Sequence, residues 1–73
     1  MPMYVWSSEA LKEWTPGNIV VQAKSVNTAR KKAIKAFDKY YHYDKKTMEQ
    51  FEIDVSVEPT IEEDGVFWVH GSA

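Results

Sequence analysis

At 73 residues without a cysteine, the chain has room for one domain and one core (1–73), and it excludes a disulfide scaffold or a cysteine-ligated metal. The formal charge is −2 and 14% of residues are aromatic, so a small core can draw on large rings. The longest apolar runs, Ile19 to Val21 and Val66 to Val69, are far too short to span a bilayer, and "MPMYVWSSE" lacks the layout of a signal peptide. The expectation is a cytoplasmic protein with no membrane partner.

The near-neutral total hides a polarity along the chain. Between Lys24 and Lys46 stand eight basic residues against Asp38 and Asp44, whereas Glu49 to Asp64 holds seven acids and no base. Such asymmetry marks either a charged partner or two segments that neutralise each other.

In chain order, "MYVWS" (Met3 to Ser7) predicts a strand with Tyr4 and Trp6 on one face and Met3 and Val5 on the other. Ser7 or Ser8 can cap a short helical turn in "SSEALKEW". Pro16-Gly17 predicts a tight turn, and "NIVVQAKS" a second strand with Ile19, Val21 and Ala23 on one side. Ser25 stands where an N-cap belongs, with Asn27 as the competing choice. After it, Val26, Ala29, Ala33, Ile34, Ala36, Phe37, Tyr40 and Tyr41 share an arc about 160° wide on a helical wheel. That is an amphipathic helix, with its alanines on one flank and its bulk on the other.

"QFEIDVSVE" alternates, which predicts a third strand with Phe51, Ile53, Val55 and Val57 inward and Glu52, Asp54, Ser56 and Glu58 outward. Pro59 ends it, Gly65 suits a positive-φ turn, and "VFWVH" predicts a fourth strand paired with the third. The expected fold is α+β: a ββαββ order giving one mainly antiparallel four-stranded sheet with a single helix on one face.

No chemistry-bearing motif is present. There is no HExxH, glycine-rich phosphate loop or nucleophile elbow, and His42 and His70 lie apart, without ligand spacing. The expectation is a non-enzymatic protein with no cofactor and no metal.

Two features stand out. Arg30 falls inside the apolar arc, where it either snorkels to solvent or pairs with a carboxylate such as Glu9, Glu13 or an acid on the sheet. Lys31, Lys35 and Lys39 form a ladder with Lys32 alongside, and like charges four apart destabilise an isolated helix. Something acidic is therefore expected opposite: nucleic acid, a partner protein, or the acidic strands of a second copy in a homodimer. The ladder lacks the Arg, Asn and Gln of base readout, and the aromatic face of Tyr4, Trp6 and Trp68 would share its surface with Glu52 and Asp54. Protein binding is thus favoured over nucleic acid. The expected partner-binding residues are Lys31, Lys32, Lys35, Lys39, Tyr4, Trp6 and Trp68.

The stretch Glu13 to Ile34, with Trp14, Pro16-Gly17, the Ile19 to Val21 strand, Ser25 and Ala29-Arg30, resembles small accessory proteins of phages and prophages, as does the Gly71-Ser72-Ala73 ending. The shared motifs are structural, and no functional residue carries over. The resemblance implies a protein of the host cytoplasm that binds and inhibits host machinery, a host protein or ribonucleoprotein such as a CRISPR effector. The dense lysine ladder departs from that pattern.

Overall fold

A computed structural model describes residues 1–12, 17–40 and 44–67 of the chain. Strand β1 is Met3–Ser8, β2 is Gly17–Gln22, helix α1 is Val26–Tyr40, helix α2 is Lys45–Asp54, and β3 is Thr60–Glu62. The class is α+β as expected, but the described sheet has three strands and there are two helices rather than one. Trp14, Pro16, Tyr41, His42, Trp68 and His70 lie outside the described residues.

The sheet order is β2-β1-β3, with both pairings antiparallel. Trp6 stands opposite Ile19, and Tyr4 lies between Val21 and Ile61. Gly17 begins β2 opposite Ser8, and a Cβ added there would lie 2.6 Å from the Leu11 Cβ. That close approach requires glycine. Ser8 does cap a turn: its Oγ accepts from the Leu11 N–H at 3.2 Å, and the Lys12 N–H closes onto the Glu9 carbonyl.

Helix α1 begins at Ser25, whose Oγ accepts from the Thr28 N–H and whose carbonyl accepts from the Ala29 N–H. Ala29, Ala33 and Phe37, spaced by four, are its buried stripe. The small alanines allow a close approach to the sheet.

The principal correction concerns Glu49 to Glu58. The expected third strand is instead α2, which starts at Asp44: its carboxylate accepts from both the N–H and the hydroxyl of Thr47 at 2.8 Å. Those two bonds hold the Asp44 carboxyl below its ordinary pKa. Phe51 and Val55 are buried as expected, but one helical turn apart. Ile53 and Val57, expected inward, are more than half exposed, whereas Asp54, expected outward, is buried. Strand β3 lies at Thr60–Glu62, in the stretch between Pro59 and Gly65 expected as a connection, and pairs with β1; of the expected fourth strand, Val66 to His70, residues 68–70 lie outside the described residues.

The second helix completes the core. Phe37 of α1 stacks on Phe51 of α2, with ring centroids 4.0 Å apart and planes 15° from parallel. Tyr4, Trp6, Ile19, Ala23 and Val55 surround them. Gly65 takes φ +77°, the left-handed turn conformation expected of it.

Arg30 does neither of the two things expected of it alone. Its Nε donates to the Val55 carbonyl at 2.8 Å and one terminal nitrogen donates to the Val57 carbonyl at 3.2 Å. Val55 is the C-cap of α2, so the guanidinium sits on the carbonyls that the helix end leaves open, at the negative end of its dipole. Glu58 pairs with the same nitrogen at 3.4 Å but is 89% exposed, so that ion pair adds little.

Candidate functional site

The stripe Ala29, Ala33, Phe37 and the ladder Lys31, Lys35, Lys39 run two residues out of step, about 200° apart on a helix. The ladder therefore occupies the face of α1 opposite the core, and all of Lys31, Lys32, Lys35 and Lys39 are exposed. Among the described residues the ion pairs are Lys12–Glu9 and Arg30–Glu58, so neither Lys31, Lys32 nor Lys35 has an acidic partner. The acidic segment of the same molecule does not fold back onto them. Glu49 and Glu52 project from α2 into solvent.

Lys32 and Ala36 lie on the flank of α1 that looks along the sheet toward β2. The Lys32 Nζ donates to the Gln22 carbonyl at 2.9 Å. Between this flank and β2 runs a groove of about 400 Å³, floored by Leu11, Ile19, Val21, Ala33 and Phe37, with Ala36 and Lys32 on its border. A second hollow, lined by Lys32, Lys35, Ala36 and Lys39, adjoins it through the two residues they share. The result is an apolar trough with a basic bank.

Tyr4 and Trp6, expected on an open sheet face, are corrected by the same helix that corrects the fold. Alternation places them together on one face, as read, but both helices cover that face and leave Tyr4 6% and Trp6 2% exposed. The Trp6 indole N–H donates to the Val57 carbonyl at 2.8 Å. These rings form core and present no surface to a partner. Trp68 lies outside the described residues; of the expected residues that are described, the four lysines share one exposed surface.

Among the described residues Asp54 is the buried acid. Its carboxylate accepts from the Ser8 hydroxyl at 2.7 Å, the Ala10 N–H at 3.0 Å and the Gln50 amide at 2.9 Å. Burial pushes its pKa up, but the bonds from Ser8, Gln50, Ala10 and the Glu9 backbone outweigh that and hold it below the ordinary value. The bonds from Ser8 and Ala10 fasten α2 to the end of β1, and the bond from Gln50 braces the carboxylate from within α2. Among the described residues there is no cluster of three or more His, Asp or Glu that could hold a metal ion. No helix among them is long and apolar enough to cross a membrane.

The groove escaped the sequence reading, although its signal was present. The clustered alanines marked the flank of α1 that would approach the sheet. They did not reveal that β2 would be an edge strand, which leaves that approach half open. Compared with family models, with curated proteins and with solved structures, the chain matches none.

Proposed function

We propose that this protein works by binding another protein through the lysine-bearing face of α1 and the groove beside it. One observation carries the reading: Lys31, Lys32 and Lys35 stand exposed without acidic partners next to an open apolar trough. Like charges at this spacing cost helix stability, so a function that uses them accounts for their retention. A partner that combines apolar anchors with acidic residues meets both halves of the surface, as protein interfaces do.

A nucleic acid is the second reading, since lysines neutralise phosphate without reading sequence. It accounts for the ladder but not for the apolar trough. The exposed Glu49 and Glu52 on α2, with Glu58, Glu63 and Asp64 beyond it, would also oppose a polyanion that wrapped further round. The likeness to phage and prophage accessory proteins supports the narrower proposal that the partner is host machinery, such as a CRISPR effector complex, which the protein inhibits by occupying it.

The test is affinity capture from a bacterial lysate with and without nuclease, using wild type and the Lys31→Glu, Lys35→Glu, Lys39→Glu triple variant. A nuclease-resistant protein band that the variant loses supports the proposal. Captured material that disappears with nuclease transfers the reading to nucleic acid. A variant that captures the same protein as well as wild type removes the ladder from the interface.

A further inference from the structure

Among the described residues strand β2 is an edge of the sheet, and its register determines which backbone groups look outward. The Ala23 N–H donates to the Pro2 carbonyl at 3.3 Å, one step beyond the Met3–Gln22 pair. In an antiparallel ladder the hydrogen-bonded pairs alternate with the others. Counting back from Ala23, it is Val21, Ile19 and Gly17 that bond to β1. Gln22, Val20 and Asn18 therefore turn their N–H and C=O groups away from β1. The Lys32 bond to the Gln22 carbonyl agrees, because that oxygen has to point outward to be reached. Among the described residues no strand pairs with this edge, and the Val20 side chain is 44% exposed.

The groove described above lies along the same edge, on the helix side of the sheet. A strand laid against Asn18 to Val20 would point alternate side chains into the trough, over Ala33, Ala36 and Phe37. Its neighbouring residues would pass the ammonium groups of Lys32 and Lys35. Backbone bonds supply affinity in such strand addition, and alternate pockets supply selectivity. The trough is apolar and its bank is positive, so the segment that fits carries apolar residues at alternate positions and carboxylates around them.

We infer that β2 accepts a short acidic, extended segment of the partner protein as an added strand, anchored by apolar side chains in the groove between β2 and α1. This rests on the protein-binding reading and specifies the chemistry of the partner and how it is held. A second copy of this chain is the poorer occupant. Among the described residues its other edge strand is β3, only three residues long, and a β3-to-β2 contact would repeat head to tail without closing, while a β2-to-β2 contact would set two lysine banks side by side.

The experiment uses a fluorescein-labelled Glu-Val-Glu-Val-Glu-Val-Glu peptide, with an oligoglutamate and an oligothymidylate of equal charge as comparisons. The alternating peptide is expected to bind wild type at least tenfold more tightly than oligoglutamate, and to slow hydrogen exchange at the Val20 N–H. Val20→Pro removes the outward donor but no bond to β1, and should weaken the peptide at least tenfold. Ala36→Trp, at an exposed helix position bordering the trough, should do the same by filling it, and serves if the proline variant does not fold.

If both variants bind the peptide like wild type while Lys32→Gln with Lys35→Gln loses it, the strand-addition inference is overturned and the lysine-face reading stands. If oligothymidylate binds most tightly and displaces the peptide, both fall. No binding of the alternating peptide by wild type overturns the inference. A wild-type oligomer in light scattering that Val20→Pro dissociates overturns it in favour of a second copy.

Discussion

Trp6 and Arg30 donate to the same atom, the Val57 carbonyl oxygen, from 2.8 and 3.2 Å. One donor comes from the central strand and the other from α1, while the acceptor lies just past the end of α2. Three elements are thus tied at a point where a helix terminus would otherwise leave carbonyls open. Arg30 holds Val55 as well, so its fork spans both carbonyls.

Arg30→Met keeps the packed stem and removes the donors. The expected loss is about 2 kcal/mol, the usual size for hydrogen bonds to a charged group. Arg30→Lys should remain destabilised, because a single ammonium cannot reproduce the fork. Urea denaturation of both variants checks this, and a methionine variant as stable as wild type would show that the carbonyl bonds contribute nothing.

Helix α2 makes a prediction that a strand could not. On a strand Ile53 and Val55 share one face, whereas on this helix Val55 is 1% exposed and Ile53 59%. Val55→Ala should cost about 2–3 kcal/mol. Ile53→Lys should stay within about 0.5 kcal/mol of wild type. Thermal melts of the pair decide it, since equal losses would restore the strand.

Acid should weaken the fold through Asp54. Its folded pKa lies below the unfolded value of about 3.9, so the unfolded chain binds the proton more readily. The contribution is complete above that value and is lost as pH falls through the folded pKa. Asp44, also lowered, acts in the same direction. Asp54→Asn should be less stable than wild type at pH 7, and the gap should narrow toward pH 2. Denaturation midpoints across that range test it, and a gap that stays constant contradicts the assignment.

Gly17→Ala should destabilise by about 1–3 kcal/mol, because its Cβ would press on the Leu11 Cβ and carbonyl. Guanidinium unfolding measures the loss. A neutral result would mean that the turn before β2 yields without cost.

Much of this architecture is legible in the sequence: β1, β2, the Ser25 cap, the start of α1 and the left-handed Gly65 follow from local chemistry. The error at Glu49 to Glu58 has a specific cause. A spacing of four, as between Phe51 and Val55, satisfies both a two-residue and a 3.6-residue period, so these two residues could not discriminate. Ile53 and Val57 tipped the pattern toward a strand, whereas the Asp44–Thr47 cap pointed to a helix. That one misassignment propagated. A sheet covered by a single helix leaves one face open, and that reading puts Tyr4 and Trp6 on it. The lysines were legible because an exposed face follows from the wheel alone. The groove was not, because it depends on which strand ends the sheet.

The strand order has a consequence for synthesis. The central strand β1 is made first, and its β2 partner follows within about a dozen residues, but the third strand arrives only at Thr60. During translation β1 and β2 can form a hairpin early, while the other edge of β1 waits until both helices have been made. A nascent chain halted before Thr60 would carry that edge unsealed, and its chance of pairing with the wrong strand lasts as long as the ribosome takes to supply β3.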